Sequence, residues 1–187
     1  METCGRLIII GSTGRNSGKT FLAAELIKHF DERPLTALKV TSIERLNDIC
    51  PRNGKGCGAC AIDSNFCLEE ELSDSGSKDT TILRAAGADR VFWLRCLRTA
   101  LAEGFAAFLE HSGDGPVICE SNSLREVINP ALFIMIRDSE GGKSKPSAEK
   151  AAEKSDITLQ SPVSAKDIEE LLKILSKKGF HFKQKEA

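Results

Sequence analysis

Tyrosine is absent from this 187-residue chain and tryptophan occurs once, so an aromatic surface for stacking successive nucleic-acid bases is not expected. An excess of one charge is lacking too. The formal net charge is −1, which gives no basis for a surface that attracts nucleic acid or an acidic membrane. No apolar run approaches the about 18 residues of a membrane-spanning helix. The first residues lead straight into a strand-like segment, without charged, apolar and cleavage segments in series, so the chain is expected in the cytoplasm. No Asn-Lys-x-Asp sequence occurs, which leaves guanine and adenine undistinguished, and there is no internal repeat.

The strongest positive signal is Gly14-Arg15-Asn16-Ser17-Gly18-Lys19-Thr20. It follows the apolar run Leu7-Ile8-Ile9-Ile10 and precedes the helix-like Phe21-Leu22-Ala23-Ala24-Glu25-Leu26-Ile27. Strand, turn and helix in that order make a phosphate-binding P-loop. Successive backbone N–H groups converge on phosphate oxygens, with the positive end of a helix dipole behind them. Lys19 is expected to reach the β- and γ-phosphates of GTP or ATP, and Thr20 to ligate Mg²⁺. One position departs from G-x-x-x-x-G-K-[ST]. Thr13 stands where the first glycine would fall, flanked by Gly11 and Gly14.

Strand-like and helix-like segments alternate along the rest of the chain. Strands are expected at 7–10, 35–41, 90–94, 116–120, 131–136 and 156–159. Helices are expected at 18–31, 79–88, 97–110, 147–154 and from a capping arrangement at Ser164-Ala165-Lys166-Asp167 to Gly179. The tail after Phe182 is expected to fray. This pattern implies a single α/β domain over residues 1–187, with a mostly parallel sheet covered by helices on both faces, as in P-loop NTPases. A Cys-rich insertion at about 47–78 has no apolar periodicity and reads as a long loop of the kind that is either functional or disordered.

Ligands of open α/β sheets sit beyond the carboxyl ends of the strands, so the residues there are the candidates. Lys39 is a charge near the end of the second strand, suited to a phosphate or a partner. Glu120 ends the strand Pro116–Glu120 and is the expected acid on the Mg²⁺ side, with Lys19 a catalytic residue. Asp79 opens a helix, as an N-cap and as a second Mg²⁺-side acid. Asp138 is a candidate for base or ribose. His29, His111 and His181 form no ligand set.

Four of the seven cysteines lie between residues 50 and 67, spaced Cys50-x6-Cys57-x2-Cys60-x6-Cys67. In a reducing compartment such crowding points to a metal, Zn²⁺ or an iron–sulfur cluster, rather than to disulfides. Cys96 and Cys119 read as small core hydrophobes, and Cys4 as incidental.

Several motifs occur in an order that resembles the MobB family, nucleotide-binding accessory proteins of molybdopterin-guanine dinucleotide synthesis. They are Asn16-Ser17-Gly18-Lys19-Thr20, Lys78-Asp79-Thr80 with Leu83-Arg84-Ala85-Ala86-Gly87-Ala88, Val117-Ile118-Cys119-Glu120, and Ile136-Arg137-Asp138. The resemblance spans roughly residues 5–160. It implies a P-loop NTPase, often dimeric, of the class that includes dethiobiotin synthetase and metallocentre-assembly GTPases. It carries Lys19 and Thr20 over as phosphate and Mg²⁺ residues, and Asp79 and Glu120 as Mg²⁺-side acids. Two features depart from the family. The Cys-rich stretch stands where the family has histidines, and Ser121 replaces the glycine of its Val-Glu-Gly motif. The expectation is a Mg²⁺-dependent NTPase assisting molybdenum-cofactor maturation beside a biosynthetic partner protein. The alternatives are a metal-handling protein switched by nucleotide, and a small-molecule kinase or ligase.

Overall fold

Leu7, Ile8, Ile9 and Ile10 have no solvent-accessible surface, because the strand that contains them feeds two cores at once. In the computed structural model, which describes residues 1–14, 16–43, 62–138 and 146–183, this strand is β1 (Glu2–Ser12). Ile8 and Ile10 point into one apolar cluster, Leu7 and Ile9 into the other. A continuous apolar run is what a strand covered on both faces needs.

Among the described residues the sheet has seven strands. Besides β1 they are β2 (Thr36–Ile43), β3 (Phe66–Glu70), β4 (Arg90–Leu97), β5 (Val117–Glu120), β6 (Ile128–Arg137) and β7 (Ile157–Gln160), in the spatial order β3-β4-β2-β5-β1-β6-β7. All pairs are parallel except β3 with β4. Helices α1 (Lys19–His29), α2 (Asp79–Ala85) and α5 (Ala165–Lys177) contribute Leu26, Leu83 and Leu171 to the cluster on one face. Helices α3 (Leu101–Leu109) and α4 (Pro146–Ala152) contribute Phe105, Phe108 and Ala151 to the other. The chain is therefore α/β with a mostly parallel sheet between two helical layers. Among the described residues no helix is long and apolar enough to cross a membrane.

Helix α5 starts as its sequence indicates. The Ser164 hydroxyl accepts from the Asp167 N–H, and the Asp167 carboxylate accepts from the Ser164 N–H. Beyond Gly179, Phe180 and Phe182 pack on Phe30 with ring centroids 5.8 and 4.6 Å away. Fraying past Phe182 does not begin at once, since the Lys183 N–H donates to His29 O at 2.8 Å.

Three expectations are corrected. The stretch 47–78 is not all loop, because it contains edge strand β3, with Phe66 and Leu68 packed on the α3 side. Strand β4 runs on to Leu97, and the helix expected from there begins as one 3-10 turn at Arg98–Ala100 before α3. The N-cap of α2 is Lys78 rather than Asp79.

Topology sets the position of the site. From β1 the chain crosses towards β2, and from β5 it crosses over β1 to β6. The loops leaving β1 and β5 thus diverge, and a crevice opens between the carboxyl ends of these neighbours.

Candidate functional site

Four segments border that crevice: the turn between β1 and α1, the end of β2, the start of α2, and the residues after β5. They enclose a cleft of about 610 Å³. Eight of the expected site residues line it, namely Asn16, Ser17, Gly18, Lys19, Thr20, Lys39 and the acids Asp79 and Glu120. Arg15 lies outside the described residues.

The turn is held by backbone angles and by hydroxyl groups. Asn16 has φ 55° and Gly18 φ 91°, the left-handed region that asparagine tolerates and glycine adopts freely. The hydroxyls of Ser12 and Ser17 both donate to Gly14 O, at 2.8 and 2.7 Å. Lys19 Nζ in turn donates to Ser12 Oγ at 2.6 Å. Helix α1 has no side-chain cap at Gly18 and no acid in its first turn. Among the described residues no side chain takes its leading N–H groups, which suits an anion there.

Thr13 now has an explanation. The left-handed angles fall at Asn16 and Gly18, so position 13 does not need glycine. Instead the Thr13 N–H donates to Ile136 O at 3.0 Å, and Thr13 Oγ1 accepts from the Asp138 N–H at 3.1 Å. The position whose backbone favours glycine is Gly18, at φ 91°, and at Gly14 an added Cβ would displace the Asp138 carboxylate, whose Oδ2 would lie 2.6 Å away. Asp138 packs against that backbone and is not among the residues lining the cleft.

The charges converge from different elements. Glu120 is 4% exposed, its Oε2 accepts from Thr20 Oγ1 at 3.2 Å, and its Oε1 is buried with no hydrogen-bond partner. Burial, reinforced by the Asp79 charge, raises the Glu120 carboxyl to about 7, against the pull of Lys39, Thr20 and Lys19. Burial also lowers the Lys19 ammonium, while Glu120 and Asp79 hold it up. Asp79 faces into the cleft and forms an ion pair with Lys39. The first position of α2 gives its carboxylate that reach, so it does not cap the helix.

This donor set fits a hard divalent cation. Two carboxylates at close quarters, one with an orphaned buried oxygen, stand beside a hydroxyl, and Mg²⁺ usually takes one or two carboxylates plus phosphate oxygens and water. Among the described residues no three His, Cys, Asp or Glu side chains gather as a metal cage. The cysteine set falls largely elsewhere. Cys50, Cys57 and Cys60 lie outside the described residues, and Cys67 sits on β3, its Sγ accepting from Arg95 Nη2 at 3.4 Å. Cys96 and Cys119 are fully buried, as core residues should be.

Three residues of the site carry no sequence signal of their own. Ser12 receives Lys19. Asn122 grips the end of β1, its Oδ1 accepting from Ser12 N–H and its Nδ2 donating to Ser12 O, both at 2.8 Å. Phe21 exposes its ring at the mouth of the cleft. A search for relatives finds no protein-family model, curated protein or solved structure that matches this chain.

Proposed function

We propose that this chain is a P-loop NTPase that binds GTP or ATP with Mg²⁺, hydrolyses it slowly, and assists maturation of a molybdenum cofactor. One observation carries the nucleotide reading: buried Glu120, with an oxygen lacking any partner, meets Thr20 directly behind a turn whose lysine and free amides face the same cleft. In the nucleotide complex Lys19 leaves the neutral Ser12 hydroxyl for phosphate oxygens, a charge-assisted exchange. The amides at the head of α1 orient the phosphates, and fixed donors of this kind need no rearrangement as charge builds up on the transferred group. Thr20, Glu120 and Asp79 would hold Mg²⁺, which supplies neutralisation of charge on the β- and γ-phosphates. Glu120, raised to about 7, shares a proton with solvent near neutral pH and gives it up when positive charge arrives beside it. Lys39 holds Asp79 in place from the far wall.

The molybdenum-cofactor role, a partner protein of that pathway and a homodimer rest on the order of motifs that resembles the MobB family. Calorimetry tests the first part. The Lys19→Ala variant should lose measurable binding of ATP and GTP and release of phosphate from them, and unchanged affinity would refute the P-loop reading. Deleting the gene in its own host tests the second part. Molybdenum-enzyme activity should fall, and unaltered activity would remove the molybdenum role while leaving nucleotide binding intact.

A further inference from the structure

The cleft is built almost wholly of hydroxyls, amides and charges. Among its described lining residues only Phe21 and Val40 have apolar side chains, and Phe21 alone has a ring. That ring is 51% exposed. A lone exposed apolar side chain usually needs no explanation, and Met1, at 65%, and Leu72, at 76%, are such residues away from the cleft. Phe21 differs in its position. It directly follows Thr20 on the first turn of α1, while its neighbours Leu22 and Ala23 turn into the core.

Lys19 and Glu120 form the inner end, where the terminal phosphates of a polyphosphate would be held. The chain of phosphates then runs out over the amides of the first α1 turn. Phe21 is the next residue after Thr20 on that turn, so its side chain is the apolar group that follows directly on the phosphate and Mg²⁺ residues in the cleft lining. An uncovered flat ring there suits one chemical group, the π-face of an aromatic base.

We propose that Phe21 is the platform on which the nucleobase stacks, so that this site selects nucleoside triphosphates over bare polyphosphate without choosing between adenine and guanine. The proposal rests on the P-loop reading given above. Every base has a π-face, so stacking tolerates exchange of the base. The absence of an Asn-Lys-x-Asp sequence, the usual guanine-reading device of GTPases, agrees with that tolerance.

The experiment compares ATP, GTP and inorganic tripolyphosphate, each with Mg²⁺, by calorimetry on the wild-type chain and on Phe21→Ala, Phe21→Trp and Lys19→Ala. Phe21→Ala should weaken ATP and GTP alike by about 5- to 150-fold and leave tripolyphosphate unchanged. Phe21→Trp should restore nucleotide affinity. Lys19→Ala should weaken all three ligands. If Phe21→Ala leaves the nucleotides unaffected, or weakens tripolyphosphate equally, the stacking role is refuted while a Lys19-dependent loss still upholds the P-loop. Strong preference of the wild type for one nucleotide, retained in Phe21→Ala, would refute the absence of base choice. Should Lys19→Ala alter no ligand, the P-loop reading itself fails. Because Phe21 is exposed, Phe21→Ala should keep the wild-type melting temperature, so a loss of binding reads as a lost contact.

Discussion

Replacing Glu120 by Gln should make the ligand-free protein more stable and its nucleotide complex weaker. The carboxyl is 4% exposed and its ionised form is opposed by burial and by Asp79, which raises it from 4.5 to about 7. At pH 8 that difference corresponds to about 3 kcal/mol against the folded state. The sign follows from proton counts. Between pH 4.5 and 7 the folded chain keeps a proton that the unfolded chain has released, so stability falls as pH rises across that window and levels off above it. Glutamine keeps the shape and can still pair with Thr20, but it carries no charge. Urea unfolding of both proteins from pH 5 to pH 8 should show the wild type losing stability and the variant changing far less. At pH 8 the variant should lead by up to about 3 kcal/mol, and by correspondingly less if water reaches the carboxylate. For a chain of this size, each kcal/mol moves the thermal midpoint by about 2–4 °C. With Mg²⁺ and ATP the order should reverse in affinity, because the variant lacks the oxygen charge that the cation needs. Parallel pH slopes for the two proteins would show that Glu120 is solvated and ionised throughout, and the reading of a poised buried acid would be wrong.

Asn122→Ala removes both bonds to Ser12 and should cost about 1–3 kcal/mol in urea unfolding, with a change below about 0.3 kcal/mol refuting the clamp. Gly11→Ala should destabilise as well, since its Cβ would lie 2.4 Å from Met135 Sδ and 3.0 Å from Asn122 Oδ1; a variant that melts with the wild type would contradict the packing. Ser164→Ala should cost about 1 kcal/mol at pH 7. The Ser164 partners hold the Asp167 carboxyl below its usual range, so the carboxylate's part of the capping box is lost only as pH falls through that lowered value, while the bond from the Asp167 N–H to Ser164 Oγ persists; circular dichroism melts should show the variant below the wild type at pH 7 and a narrower gap in strong acid, and equal melting at pH 7 would contradict the cap. Alkylation at pH 8 should spare Cys96, raised by burial to about 11, and the fully buried Cys119, until denaturant is added; mass spectrometry of the native protein would reveal any exception.

Local pattern made some of this molecule legible and left the rest hidden. Leu7–Ile10 could be read as a central strand because both faces of β1 are covered, which forces an unbroken apolar run. The capping pair Ser164 and Asp167 and the turn ending in Lys19 and Thr20 are likewise contained within a few residues. Strand β3 escaped notice for the opposite reason. At an edge, Phe66 and Leu68 suffice to anchor it, while the exposed Glu69 and Glu70 pair with Arg95 and Arg90 of β4, so its composition resembles a loop. The bonds from Asn122 to Ser12 span 110 positions, and no spacing within a sequence can announce them. Glu120 lies between these cases. An acid closing an apolar strand is visible in the sequence, but its hold on a proton depends on its burial and on Asp79 arriving from α2, and its one hydrogen bond on Thr20 arriving from α1. That convergence comes from the crossing of the chain from β1 towards β2 and from β5 over to β6. The sheet order therefore supplies the electrostatics of the cleft, and the local motif supplies the groups on which they act.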